Sequence, residues 1–146
     1  MPPPPDPTAG GHRISSRHVQ FALAFIFLSL GGWCVLAPGD VEQLGLRPEL
    51  VTGSLATKIL IGCFGAQAML CGVVIATSRF TPATFLIFGL AGSVPFFGFN
   101  YYFYFVAEVF SDWMLLDFIG NLGILICGVV GAALRRRELR QGQTTG

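Results

Sequence analysis

The fold is decided by residues 113–137, which read WMLLDFIGNLGILICGVVGAALRRR. Their apolar part, 113–134, is long enough to cross the hydrocarbon core of a bilayer, which takes ~20 helical residues. Three arginines follow at once, Arg135, Arg136 and Arg137. Basic residues at the end of a membrane span favour the cytoplasmic side. The stretch therefore predicts a transmembrane helix that ends in the cytoplasm.

Three further apolar blocks precede this one. The 146 residues are 53% hydrophobic and only 12% charged, whereas about a quarter of the residues of a soluble domain are charged. The blocks predict spans at about 18–37, 50–76, 81–106 and 113–134. Helices are expected because each backbone polar group in lipid needs an internal partner. The chain is thus predicted to be all-α, an integral membrane protein whose single domain, 13–137, is an antiparallel four-helix bundle.

The two ends of the chain are predicted to be disordered and cytoplasmic. Residues 1–12 contain five prolines, a composition that cannot bury enough apolar surface to fold, and the tail 138–146 is polar. The arginines before span one, between spans two and three, and after span four fall on one side: Arg13, Arg17, Arg79 and the cluster 135–140. This pattern places both termini in the cytoplasm.

Two local features predict how the spans are joined and bent. The connection between spans two and three, at residues 77–79, is so short that these spans are expected to be antiparallel neighbours. Span three contains Pro95, where a kink is expected because proline donates no backbone hydrogen bond.

Polar side chains inside the predicted spans are the candidate site. Lys58, Asn100, Asp117 and Asn121 fall in one layer roughly 6–12 Å below the outer surface, at 1.5 Å per residue, and Tyr104 shares the face of Asn100. We predict a Lys58–Asp117 ion pair flanked by the asparagines, in a polar cavity that binds a ligand or handles a proton. The alternatives are that Lys58 reaches the headgroups, that Asp117 lies at the membrane boundary, and that the asparagines only join helices.

No motif specifies a reaction, a cofactor or a metal site, so the protein is not expected to be an enzyme. The four cysteines lie inside predicted spans without metal-like spacing and are interpreted as small buried hydrophobes. A net charge of +1 indicates no nucleic acid partner. Aromatic residues crowd positions 96–105; they suit an interfacial belt or the wall of a site for a flat apolar ligand such as a quinone.

The short first span closes on Ala37-Pro38-Gly39, and the first part of the second span carries a basic residue before glycines, in the sequence KILIGCFG from Lys58 to Gly65. In these features, and in its length and four-span layout, the chain resembles the DoxX-like group of small four-helix bacterial membrane proteins, whose members usually carry arginine at the position of Lys58. The resemblance implies an antiparallel bundle in the bacterial inner membrane. Some members are similar to accessory subunits of quinone-linked oxidoreductases, and others act as assembly factors.

The sequence therefore favours a non-enzymatic accessory or assembly subunit. One alternative is a small carrier or ligand-binding bundle that uses the polar layer, and a second is a quinone-linked redox accessory. The expected partners are membrane lipid and either another membrane protein or a second copy of the chain.

Overall fold

The computed structural model describes residues 14–143, which are mostly helical. The α-helices are α1 (Ser16–Leu36), α2 (Pro38–Gly45), α3 (Leu55–Thr77), α4 (Pro82–Ala91), α5 (Val94–Tyr101) and α6 (Leu115–Gln143). Short 3₁₀ turns cover Pro48–Leu50 and Asp112–Met114, and a π-helical turn covers Tyr102–Val106. Within residues 14–143 the only β-structure is an isolated bridge between Leu46 and Phe110. The predicted all-α fold class is confirmed.

Four helical segments are long and apolar enough to cross a membrane: Ser16–Leu36, Leu55–Thr77, Pro82–Val106 and Asp112–Gln143. The second begins later than predicted, because the turn Pro48–Leu50 and Gly53, which has a φ of +61°, come before its N-cap Ser54. The fourth continues to Gln143, so the described part of the tail predicted at 138–146 is helical instead of disordered. The predicted tail 1–12 lies outside the described residues.

Helix α1 is the central element of the packing. It packs against α3 and against α6, and α6 in turn packs against α4 and α5. Contacts therefore join span two to span one, span one to span four, and span four to span three. Spans two and three, predicted to be antiparallel neighbours, meet through the rings of Phe64 and Phe96, whose centroids lie 6.3 Å apart, but neither α4 nor α5 is among the helices that pack extensively on α3. A short link constrains only the helix ends that it joins, and the position of each whole helix follows from its best packing surface.

Glycines mark the closest approaches between helices. A Cβ atom on Gly31 of α1 would lie 2.6 Å from the carbonyl oxygen of Gly65 of α3. Likewise, a Cβ atom on Gly128 of α6 would lie 2.6 Å from the Cα atom of Gly89 of α4. Small residues let membrane helices approach and gain van der Waals contact. Both crossings therefore require glycine.

Span three is interrupted between α4 and α5, close to Pro95. Gly92 and Ser93 separate the two helices, and Pro95 lies in the first turn of α5. Because proline has no N–H, the carbonyl of Ala91 four residues earlier cannot receive its usual helical bond. The buried hydroxyl of Ser93 donates to the Gly89 carbonyl oxygen at 2.5 Å. The break thus occurs just before the predicted position.

One end of the molecule is closed by a cap, which we define as residues 38–54 together with residues 107–114. The Arg47 N–H donates to the Val109 carbonyl at 3.0 Å, and the Ser111 N–H donates to the Gly45 carbonyl at 3.0 Å. The Arg47 guanidinium also pairs with the Glu108 carboxylate at 3.0 Å. The two loops are therefore joined by backbone and side-chain bonds. The opposite end, which carries Arg17, Arg79 and Arg135, is called the arginine end.

Candidate functional site

Asp117 and two asparagines form a hydrogen-bonded cluster near the cap. The Nδ2 atom of Asn100, on α5, donates to Asp117 Oδ2 at 2.5 Å, and Asn121 Nδ2 donates to the same oxygen at 2.8 Å. Both asparagines are buried, at 1% and 4% exposure. Asp117 lies in the first turn of α6, where the helix dipole favours a negative charge. The cluster therefore joins span three to span four around one carboxylate.

The second carboxylate oxygen of Asp117, Oδ1, has no hydrogen-bond donor among the described side chains. Every buried side-chain oxygen and nitrogen among the described residues has a hydrogen-bond partner. Since Oδ1 has no such partner, it must retain accessible surface. This oxygen can accept a hydrogen bond from water or a polar ligand, or it can take a proton.

Lys58 and Tyr104 lie outside the cluster. No ion pair joins Lys58 to Asp117 within the described chain. The exposed Lys58 side chain instead passes Gly39, whose added Cβ would lie 3.8 Å from Lys58 Cε. The separation arises because α3 packs against α1 and α2, whereas Asp117 lies where α5 meets α6. The Tyr104 hydroxyl donates to Asp112 Oδ1 at 2.9 Å, which ties the end of span three to the cap.

Glu42 was not among the residues predicted from the sequence, where it resembles any solvated acid in a loop. It is 2% exposed. Its Oε1 atom accepts hydrogen bonds from the Thr52 N–H at 2.9 Å, the Thr52 hydroxyl at 3.0 Å and the Gly53 N–H at 3.0 Å. Burial raises the pKa of Glu42, but these bonds and the charge of Lys58 outweigh it and leave the pKa below its ordinary value. Glu42 therefore links α2 to the residues that immediately precede α3.

A third carboxylate, that of Glu138, organises the arginine end. Glu138 accepts from the Ser16 N–H and the Ser16 hydroxyl, both at 2.7 Å, and pairs with Arg135 at 3.1 Å. Next to it is a cleft of about 390 Å³. Its lining consists of Ser15, Ser16, Arg17, Gln20, Arg79, Phe80, Arg135 and Glu138. With three arginines and one acid, the cleft favours anions.

Gln67 is a further residue that was not predicted, and it lies on the side of α3 opposite to the face packed on α1. The face packed on α1 carries the buried residues Gly65 and Gly72. Gln67 is exposed and forms no hydrogen bond with another described side chain or backbone group. Its signal in the sequence is an amide near the middle of an apolar span, at a different depth from the layer that contains Lys58.

No group of three histidine, cysteine, aspartate or glutamate residues within 14–143 could hold a metal ion. No protein-family model matches the chain, and neither a curated protein nor a solved structure matches it. The fold and the candidate site thus define a class only: a small helical protein with four candidate membrane spans.

Proposed function

We propose that the chain is a multi-pass protein of the bacterial inner membrane, related to the DoxX-like group. In this proposal the four spans form an antiparallel bundle with both termini in the cytoplasm. The bonds between the start of α1 and the end of α6, Ser16 to Glu138, support opposite directions for those two helices. The three arginines of the arginine end support its placement at the cytoplasmic surface.

Within that membrane, we propose that the protein is a non-enzymatic accessory or assembly subunit that docks on another membrane helix. The observation that carries the proposal is the unpaired carboxamide of Gln67. Helix α3 covers Leu55–Thr77, so Gln67 lies within about 2 Å of the helix midpoint at 1.5 Å per residue. An unsatisfied amide in hydrocarbon costs several kcal/mol. Polar side chains at this depth normally face protein, and a partner helix would supply that environment.

The polar cluster around Asp117 supports a second candidate function. Its open oxygen, Oδ1, is suited to bind a small polar ligand or to exchange a proton. We place this second because Lys58 does not take part, so the site lacks the cation that a carrier for anionic substrates would use. The hydrogen bonds from Asn100 and Asn121 also account for Asp117 as a link between spans.

The docking proposal is tested by the size of the particle that the protein forms in its native membrane. The change is Gln67→Leu, and the matched control is Ser29→Leu, another change from a polar to an apolar exposed side chain in a predicted span. After extraction into polymer-bounded lipid discs, the protein mass in each particle of the wild type and of the control should exceed the 15.7 kDa of a single chain. The Gln67 variant should run as a monomer. A monomeric wild type, or an unchanged particle in the variant, would refute docking through α3.

A further inference from the structure

We infer that the partner helix is α3 of a second copy of this chain, bound in parallel about a twofold axis normal to the membrane. The inference rests on the proposed docking function and names its partner. It follows from the pattern of exposed residues on α3, from the hydrogen-bonding capacity of Gln67, and from the orientation that two copies share in one membrane.

The exposed side of α3 carries a continuous heptad pattern. Its residues are separated alternately by three and four positions, which is the spacing of the a and d positions of a left-handed coiled coil. They form what we call the α3 seam: Leu60, Cys63, Gln67, Leu70 and Val74. Leu60 and Leu70 are 70% and 58% exposed. Helix pairs in membranes commonly pack at the crossing angle of such coiled coils.

The seam is exposed along its whole length in the described structure. The face of α3 that packs on α1 includes Gly65 and Gly72, which lie nearly opposite to the seam at 100° per residue. The aromatic contact of α3 with span three uses Phe64, whose ring lies 6.3 Å from that of Phe96. Lys58 also points away from the seam at this helical phase, so two copies would not bring their lysines together.

A second copy satisfies Gln67 by symmetry. Two copies inserted with the same topology present parallel α3 helices, so residues with the same number lie at the same depth. A carboxamide is both a donor and an acceptor. Across a twofold axis each Gln67 can therefore donate to the other and accept from it, because an interface of this kind pairs the same patch on both subunits. A different protein would need a polar group at this same depth.

Cysteine crosslinking in native membranes tests this arrangement, since Cys63 is an exposed thiol one helical turn from Gln67. In a chain whose other cysteines, Cys34, Cys71 and Cys127, are changed to alanine, mild oxidation should link two copies through Cys63. The control carries all four cysteine-to-alanine changes and Leu122→Cys, an exposed position at a similar depth on α6. It should give only the background of random collisions.

Dilution in lipid vesicles, read by energy transfer between labelled copies, measures the strength of the association. Gln67→Leu should weaken the dimer roughly tenfold, as expected for two hydrogen bonds of the strength measured between membrane helices. Gln67→Asn retains both hydrogen-bonding groups and should lie closer to the wild type. An unchanged dimer in the leucine variant would overturn the role of Gln67.

The outcomes separate this inference from the docking proposal. If Cys63 does not crosslink and the copies do not associate, while the native particle still depends on Gln67, the second copy is refuted and a different partner occupies the seam. Stronger crosslinking at position 122 than at position 63 would place the contact on another helix and overturn the inference. If Gln67→Leu changes neither crosslinking nor particle size, both proposals fail.

Discussion

Replacing Gly128 with alanine should destabilise the protein through a single steric contact. The added Cβ would lie 2.6 Å from the Cα atom of Gly89 and 2.9 Å from the carbonyl oxygen of Phe85. Both are backbone atoms, so no side-chain rotation relieves the contact. Ordinary Cβ contacts begin at 3.4 Å, so α4 and α6 would have to separate by roughly 0.8 Å. Overpacking of this kind typically costs about 1–3 kcal/mol.

Gly120 provides a control on the same helix. A Cβ atom there meets nothing within 4 Å, so alanine introduces no clash, and it favours the helix by about 0.8–1 kcal/mol over glycine. Because alanine's helix preference applies to both variants, only the overpacking separates them. The free energy of unfolding of Gly128→Ala should therefore lie about 1–3 kcal/mol below that of Gly120→Ala.

The assay is unfolding in mixed micelles by titration with sodium dodecyl sulfate, followed by the fluorescence of Trp33 and Trp113. Gly128→Ala should unfold at lower detergent fraction than the wild type, and Gly120→Ala at an equal or higher one. If Gly128→Ala is as stable as Gly120→Ala, the close crossing of α4 and α6 at Gly128 is incorrect.

Three further predictions concern the carboxylates. Asn121→Leu removes one of the two donors to Asp117 and should lower stability by about 1.5–3 kcal/mol, the usual range for a hydrogen bond to a charged group; an unshifted detergent midpoint would contradict this. Because the pKa of Glu42 is depressed, its stabilisation should be complete above its ordinary pKa and lost as the pH falls through the depressed value. Hydrogen exchange in the cap should accelerate there, after correction for intrinsic rates, whereas Glu42→Gln should abolish this pH dependence; the same profile in both proteins would exclude Glu42 as its origin. Glu138→Gln should lower stability by about 1 kcal/mol, because it removes a negative charge from the start of α1. An unchanged detergent midpoint would contradict this and show that Ser16 bonds equally well to the neutral amide.

The polar layer shows how far sequence reasoning reaches in this chain. Depth along the membrane normal follows from counting residues, and the structure brings together Asn100, Asp117 and Asn121, three of the four residues placed in that layer. Lys58 was also placed in the layer, but it lies on a helix that does not reach Asp117. Depth specifies one coordinate of a side chain. The rotation of each helix and the order in which the helices pack supply the others, and these depend on all the interfaces together.

Four apolar helices could be predicted from the sequence alone, because the energy that drives their formation is local. An apolar segment of sufficient length is recognisable without its neighbours. Its exact start is less so, since span two was predicted from residue 50, whereas α3 begins at Leu55 after its N-cap Ser54. The packed structure was needed to show that α1 lies between α3 and α6, that Glu42 is buried in the cap, and that Gln67 faces outward. These features depend on which surfaces approach most closely, and that choice is a competition among residues far apart in the chain.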